Sequence, residues 1–242
     1  MKALRRTTIL AFSLFVTLTA FGQDEQQPDE RKAPSAGQVL SGHYARVYGM
    51  AMRYNDYGMA KNALYNLYVE NPQNDSILYS LSALYLQTGQ YASAAISSQD
   101  ILQMKPKHTG AMEILAVSYE NLGVKDKALD TYESLHLESD DFETLYKIAF
   151  LQYDLKRYNE SIANADILLS KPQADSLTVV YETADKKQKE YPIKVAILNL
   201  KGLNAQGQGK KSEAKKQFEA ALKVSPDFIL AKQNLEAIEQ KK

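Results

Sequence analysis

The 242-residue sequence predicts an all-α protein: a solenoid of about five stacked helical hairpins with a C-terminal capping helix and one small β insertion. Three observations carry the prediction. Four small residues, Ala60, Ala94, Ala128 and Ser161, each follow a turn and stand just inside an apolar helical run, at spacings of 34, 34 and 33. The prolines keep the same time: Pro72 and Pro106 are 34 apart, and each follows its alanine by 12, as Pro226 follows Ala214. Ala214 itself lies 53 beyond Ser161, which is one more period of 34 plus an insertion of 19. A fixed period of this length means one supersecondary unit repeated, each copy burying its apolar face only against its neighbours.

The chain opens outside the repeat. Lys2, Arg5 and Arg6 precede an apolar run from Ile9 to Phe21, and Ala20 and Gly22 are spaced for cleavage before Gln23, so residues 1–22 read as a secretory signal. The run of about 13 residues is shorter than the roughly 20 that span a bilayer core; an uncleaved anchor is the competing reading. With no cysteine in the chain, lipid attachment at the cleavage site, a disulfide framework, a thiolate metal site and a cysteine nucleophile are all excluded. The expected location is therefore the periplasm or the exterior. Residues 23–40, polar and carrying Pro28 and Pro34, read as a flexible leader.

Repeats are expected at 41–74, 75–108, 109–141, 142–172 and 195–228. In the second, Ser76 to Thr88 is apolar along one face at helical spacing, Gly89 and Gln90 interrupt it, and Tyr91 to Lys105 forms the partner helix before Pro106. A residue as small as Ala94 lets the two backbones approach closely, with Tyr85 and Tyr91 filling the space beside it. The insertion, 173–194, holds a β-branched run from Thr178 to Thr183, a charged turn at Asp185 to Lys187, then Tyr191 and Pro192. It reads as a two-stranded hairpin projecting from the solenoid, with Pro192 tolerated at an edge. The rival is an irregular helical repeat whose first helix spans 176–190. A hairpin alone is marginal, so it must lie against a neighbouring repeat or a partner. Residues 227–240 are amphipathic and supply the cap that an open array needs.

These units resemble the tetratricopeptide repeat (TPR) family, whose marks are a small residue early in the second helix, an aromatic one turn on, a turn glycine and a closing proline. The resemblance covers 41–172 as four units and 195–228 as a fifth, where Gly202, Gly209, Ala214, Phe218, Ala221 and Pro226 are all in place. Departures are Asp140 for the closing proline, Lys156 for the turn glycine and Tyr48 where a small residue usually packs. The resemblance, to an exported bacterial TPR protein, implies a right-handed α-α superhelix whose first helices line a concave groove. Carried over in phase, that groove presents Tyr79, Ala83 and Leu86, then Glu113, Val117 and Glu120, then Tyr146, Phe150 and Tyr153, then Asn199 and Gln206. Tyr146 and Phe150 suit core packing equally. The Lys and Asn that grip a terminal carboxylate in the chaperone-binding subclass fall on Ala45 and Gly49, so that clamp is absent. What remains is an aromatic, mildly acidic trough for an apolar or basic extended segment.

The implied function is a non-catalytic scaffold or adaptor of the bacterial cell envelope, holding a protein or peptide in the groove. A second reading is an assembly subunit that meets an anionic surface through its basic C-terminal end; a sugar-binding or enzymatic role is remote. No cofactor or metal is expected, since His43, His108 and His136 fall in different repeats without ligand spacing. The segment from Gly207 to Ser212 is not a phosphate loop, because Asn204 and Lys211 stand where a glycine and a hydroxyl belong. No GxSxG elbow is present, and Asp140 and Asp141 read as a helix start. Asp75-Ser76-Ile77 and Asp175-Ser176-Leu177 resemble acceptor motifs for O-linked sugars at Ser76 and Ser176, although helix starts explain the same residues.

Charge is balanced overall, 29 Lys and Arg against 29 Asp and Glu, but unevenly placed. Residues 186–242 hold 13 basic and 6 acidic residues, net +7, and residues 23–185 hold 13 and 23, net −10. Such opposed fields steer partners and favour head-to-tail association at low salt. Without a positive excess across the groove, nucleic acid is not an expected partner.

Overall fold

A computed structural model describes residues 33–183 and 185–240; the signal and the leader as far as residue 32 lie outside them. The folded unit begins at Ala36 and is built of paired helices. α1 (Ala36–Arg53) pairs with α2 (Tyr57–Glu70), α3 (Asp75–Gln87) with α4 (Tyr91–Met104), and α5 (Thr109–Asn121) with α6 (Lys125–Ser139). α7 (Phe142–Asp154) then pairs with α8 (Tyr158–Ser170). A short α9 (Gln173–Ser176) leads into β1 (Thr178–Glu182) and β2 (Gln188–Pro192), after which α10 (Ile193–Gly207) pairs with α11 (Lys211–Val224) and α12 (Ile229–Gln240) caps the array.

The small residues that set the period are where the helices touch. Ala60, Ala94, Ala128, Ser161 and Ala214 are all 0% exposed. In the fifth unit the contact is tighter still, because a Cβ added at Gly202 would come within 2.3 Å of the Phe218 ring. Ser161, the polar member of the series, donates to the Ala149 carbonyl oxygen (2.7 Å) and accepts from the Asn204 amide (2.8 Å). That buried chain ties α8 to α7 on one side and α10 on the other.

Each hairpin reverses through a single left-handed residue: Asn55, Gly89, Gly123, Lys156 and Gly209, at φ of 57°, 70°, 73°, 62° and 75°. Glycine adopts this conformation without strain, asparagine tolerates it, and lysine bears a steric cost. The fourth unit therefore keeps the turn geometry although Lys156 replaces its glycine. Asp140, in the slot of the closing proline, also adopts a left-handed conformation and ends α6, and Asp141 starts α7 by accepting from the Thr144 amide at 2.8 Å.

Three boundaries differ from the sequence reading. The leader expected to run to residue 40 is helical from Ala36. No proline stands between Ala36 and Ser41, and extending an existing helix costs far less than nucleating one, so α1 propagates outward past its packed half. The fifth unit's first helix starts at Ile193, inside the expected insertion, directly after Pro192, which ends β2 and stands at the N-cap with an extended backbone. The cap begins at Ile229 rather than residue 227.

The insertion is a hairpin, not a helical repeat spanning 176–190. Its β-branched run pairs antiparallel, Val179 opposite Tyr191 and Tyr181 opposite Lys189. It does not project freely. Leu177 and Val179 pack on the core of the fourth unit, and the Tyr181 and Tyr191 rings each meet Phe228 edge-on with centroids 5.2 Å apart. An ion pair from Lys189 to Asp227 ties the hairpin to the cap.

Candidate functional site

The helical period places Glu113, Val117 and Glu120 on one stripe of α5, and Tyr146, Phe150 and Tyr153 on the matching stripe of α7. α5 and α7 stand apart, α5 packed chiefly on α6 and α4, and α7 on α8 and α6. Between them opens a cleft of about 490 Å³ lined by Glu113, Val117, Tyr132, Leu135, Glu143 and Lys147. A second cleft of about 290 Å³ shares Lys147 with it and is lined by Glu120, Tyr146, Phe150, Asp154 and Tyr181. The two form one trough.

The trough is acidic with aromatic walls. Lys147 donates to Glu120 (3.3 Å) and Lys125 pairs with Asp154, but among the described residues Glu113 and Glu143 have no ion-pair partner. Tyr132 donates to Glu120 at 3.0 Å. Burial first, then the Glu120 charge, pushes the Tyr132 phenol above its ordinary range. Tyr146 and Tyr181 of the hairpin line the same cleft, and burial, with Tyr181 adding to it, pushes the Tyr146 phenol up strongly. Both phenols are therefore neutral donors and acceptors at physiological pH. Carboxylates beside aromatic and aliphatic walls suit recognition of cations and aliphatic chains.

Of the eleven predicted groove residues, five meet in this trough: Glu113, Val117, Glu120, Tyr146 and Phe150. The others are engaged within the fold. Tyr79 lies over Gly110, where an added Cβ would come within 2.9 Å of its hydroxyl, and stacks on His108 with centroids 5.1 Å apart. Ala83 and Leu86 pack on the core of the first two units. Tyr153 packs beside Tyr158, Asn199 is buried and accepts from Asn234 of the cap (3.0 Å), and Gln206 is half-buried.

The sequence reading did not place Tyr132, Glu143, Lys147 or Tyr181 at the groove. Tyr181 had a signal: in an alternating strand it shares a face with Val179. Ser76, near the start of α3, and Ser176, at the end of α9, are both exposed, and their neighbours Asp75 and Asp175 pair with Lys105 and Lys194. Among the described residues no cluster of His, Cys, Asp and Glu is placed to hold a metal, and no helix is long and apolar enough to cross a membrane.

Two segments match tetratricopeptide-repeat models, residues 111–138 and 195–228. No curated protein sequence matches the chain. Among solved structures the fold is similar to that of the MamA protein (TM-score 0.61, 18% identity, covering 77% of this chain and 92% of that one). It is also similar to MamA from Desulfovibrio magneticus RS-1 (0.59, 13%, 78% and 97%). A third is YrrB, described as a TPR protein with an unusual peptide-binding site (0.64, 12%, 83% and 98%). Identities this low speak to the fold alone. The chain carries tetratricopeptide repeats, and its fold is that of a tetratricopeptide-repeat solenoid.

Proposed function

We propose that this protein is a non-catalytic scaffold of the bacterial cell envelope that holds an extended, basic segment of a partner protein in the trough over α5 and α7. The observation that carries the reading is the cleft between those helices, where Glu113 and Glu143 are exposed and, among the described residues, have no ion-pair partner, beside aromatic and aliphatic walls. A lysine or arginine with its aliphatic stem would satisfy both features. The peptide site recorded for YrrB gives the fold a precedent for such a role. The signal-like start of the chain supports export, and the exposed Ser76 and Ser176 are then available for O-linked sugar.

A photo-crosslinking residue placed at Val117, compared with one at Ile96 on the outer surface, tests the reading in envelope extract. The expected result is a defined segment joined at Val117 only and lost when Glu113 and Glu120 are both changed to Lys. Equal capture at both positions, or capture that survives the charge reversal, contradicts it.

A further inference from the structure

The insertion does more than wall the trough. In the hairpin, Ile193 donates to the Leu177 carbonyl oxygen (2.9 Å) and Thr183 to that of Lys187 (2.8 Å). Antiparallel pairs alternate between bonded and non-bonded, and these two fix the parity. Val179, Tyr181, the Leu177 carbonyl and the Thr183 N–H are directed across the hairpin, while the backbone groups of Thr178, Val180 and Glu182 point to the opposite edge. The sheet has two strands, and among the described residues nothing hydrogen-bonds to the backbone of Val180 or Glu182. Val180 is 56% exposed, a large apolar side chain on an unpaired edge. β2 reaches the cap through Lys189 and Tyr191, and Tyr181 of β1, whose ring also meets Phe228, lines the trough beside Tyr146. The part of the trough that Tyr181 walls holds Glu120 and Asp154, and Glu182 is exposed one residue further along β1.

Resting on the reading of the trough as the site for an extended basic segment, we infer that the segment binds as a third strand added to the free edge of β1. Its backbone meets Thr178, Val180 and Glu182, and basic side chains at alternate positions enter the acidic trough. Main-chain pairing of this kind supplies affinity, and the pockets under alternate side chains supply selectivity. An edge left open beside a charged groove is otherwise an aggregation liability, and the carboxylates around it restrict what can pair there. The occupant is therefore an extended peptide with lysine or arginine at every second position, not a helix.

The test uses a fluorescein-labelled ten-residue peptide of alternating Lys and Val, followed by anisotropy against residues 23–242. Val180→Pro removes an outward N–H without touching the β1–β2 ladder, and Val180→Thr keeps it. Two further peptides are N-methylated at either the Lys or the Val positions, so the result does not depend on how a protein variant folds. The expected outcome is binding weakened about tenfold by Val180→Pro and by one of the N-methylated peptides, and unchanged by Val180→Thr. If Val180→Pro and both methylated peptides bind like the parents while the Glu113→Lys/Glu120→Lys pair abolishes binding, strand addition is overturned and the trough reading stands. If the charge reversal also leaves binding intact, or the parent peptide does not bind, both fall.

Discussion

A methyl group at Gly202 has nowhere to go, because the Phe218 ring already occupies the position a Cβ would take. Both residues were legible in the sequence as marks of the repeat, and the structure supplies the reason the pair is needed. Gly202→Ala should therefore cost about 1–3 kcal/mol by overpacking, read as a lower urea midpoint at unchanged slope, although alanine is the better helix former. Tyr146 makes a second prediction. Its phenol ionises near pH 10.0 in the unfolded chain and higher in the folded one, so its contribution to stability is complete below pH 10 and is lost as pH rises beyond it. Tyr146→Phe should lose less stability than wild type between pH 8 and pH 11; equal losses would show that the ring is not held as described. What the sequence could not show here is which groove-phase residues stay open. Tyr79 and Tyr146 occupy equivalent places, yet one is closed over by a neighbouring Gly110 and the other is joined by a hairpin from outside the repeat.

At the scale of elements, periodicity exposed the helix pairs because an apolar stripe and a small contact residue must recur wherever the same pair is stacked. Turns were less legible. Glycine was the expected mark, yet the fold imposes a left-handed residue in every unit, and Asn55 and Lys156 accept it. Lys156→Gly should remove that strain and stabilise the protein by about 1 kcal/mol, measured by urea unfolding; a destabilised variant would place the strain elsewhere. The hairpin was legible from its β-branched run and charged turn, but its docking was not, since the contacts of Tyr181 and Tyr191 with Phe228 join residues more than 35 apart in sequence. The early start of α1 escaped notice because helix extension leaves little trace in composition.

For the whole molecule, the opposed charges seen in the sequence resolve into local arrangements. Lys189, Lys194, Lys201 and Lys215 of the basic end each pair with a carboxylate, while among the described residues Glu113 and Glu143 of the trough have no ion-pair partner. Binding of the Lys–Val peptide at the trough should weaken severalfold as salt rises from about 0.1 M to 1 M, over which the screening length falls from about 10 Å to 3 Å. A rival surface exists on the outer side, a furrow of about 270 Å³ between α2 and α4 lined by Tyr65, Tyr68 and Ile96. Hydrogen exchange of the protein with and without the Lys–Val peptide distinguishes the two most directly. The trough account predicts slowed exchange over residues 109–121, 142–154 and 178–182, with residues 57–70 and 91–104 unchanged. Protection confined to those two outer helices, or none over 109–121 and 142–154, would contradict it.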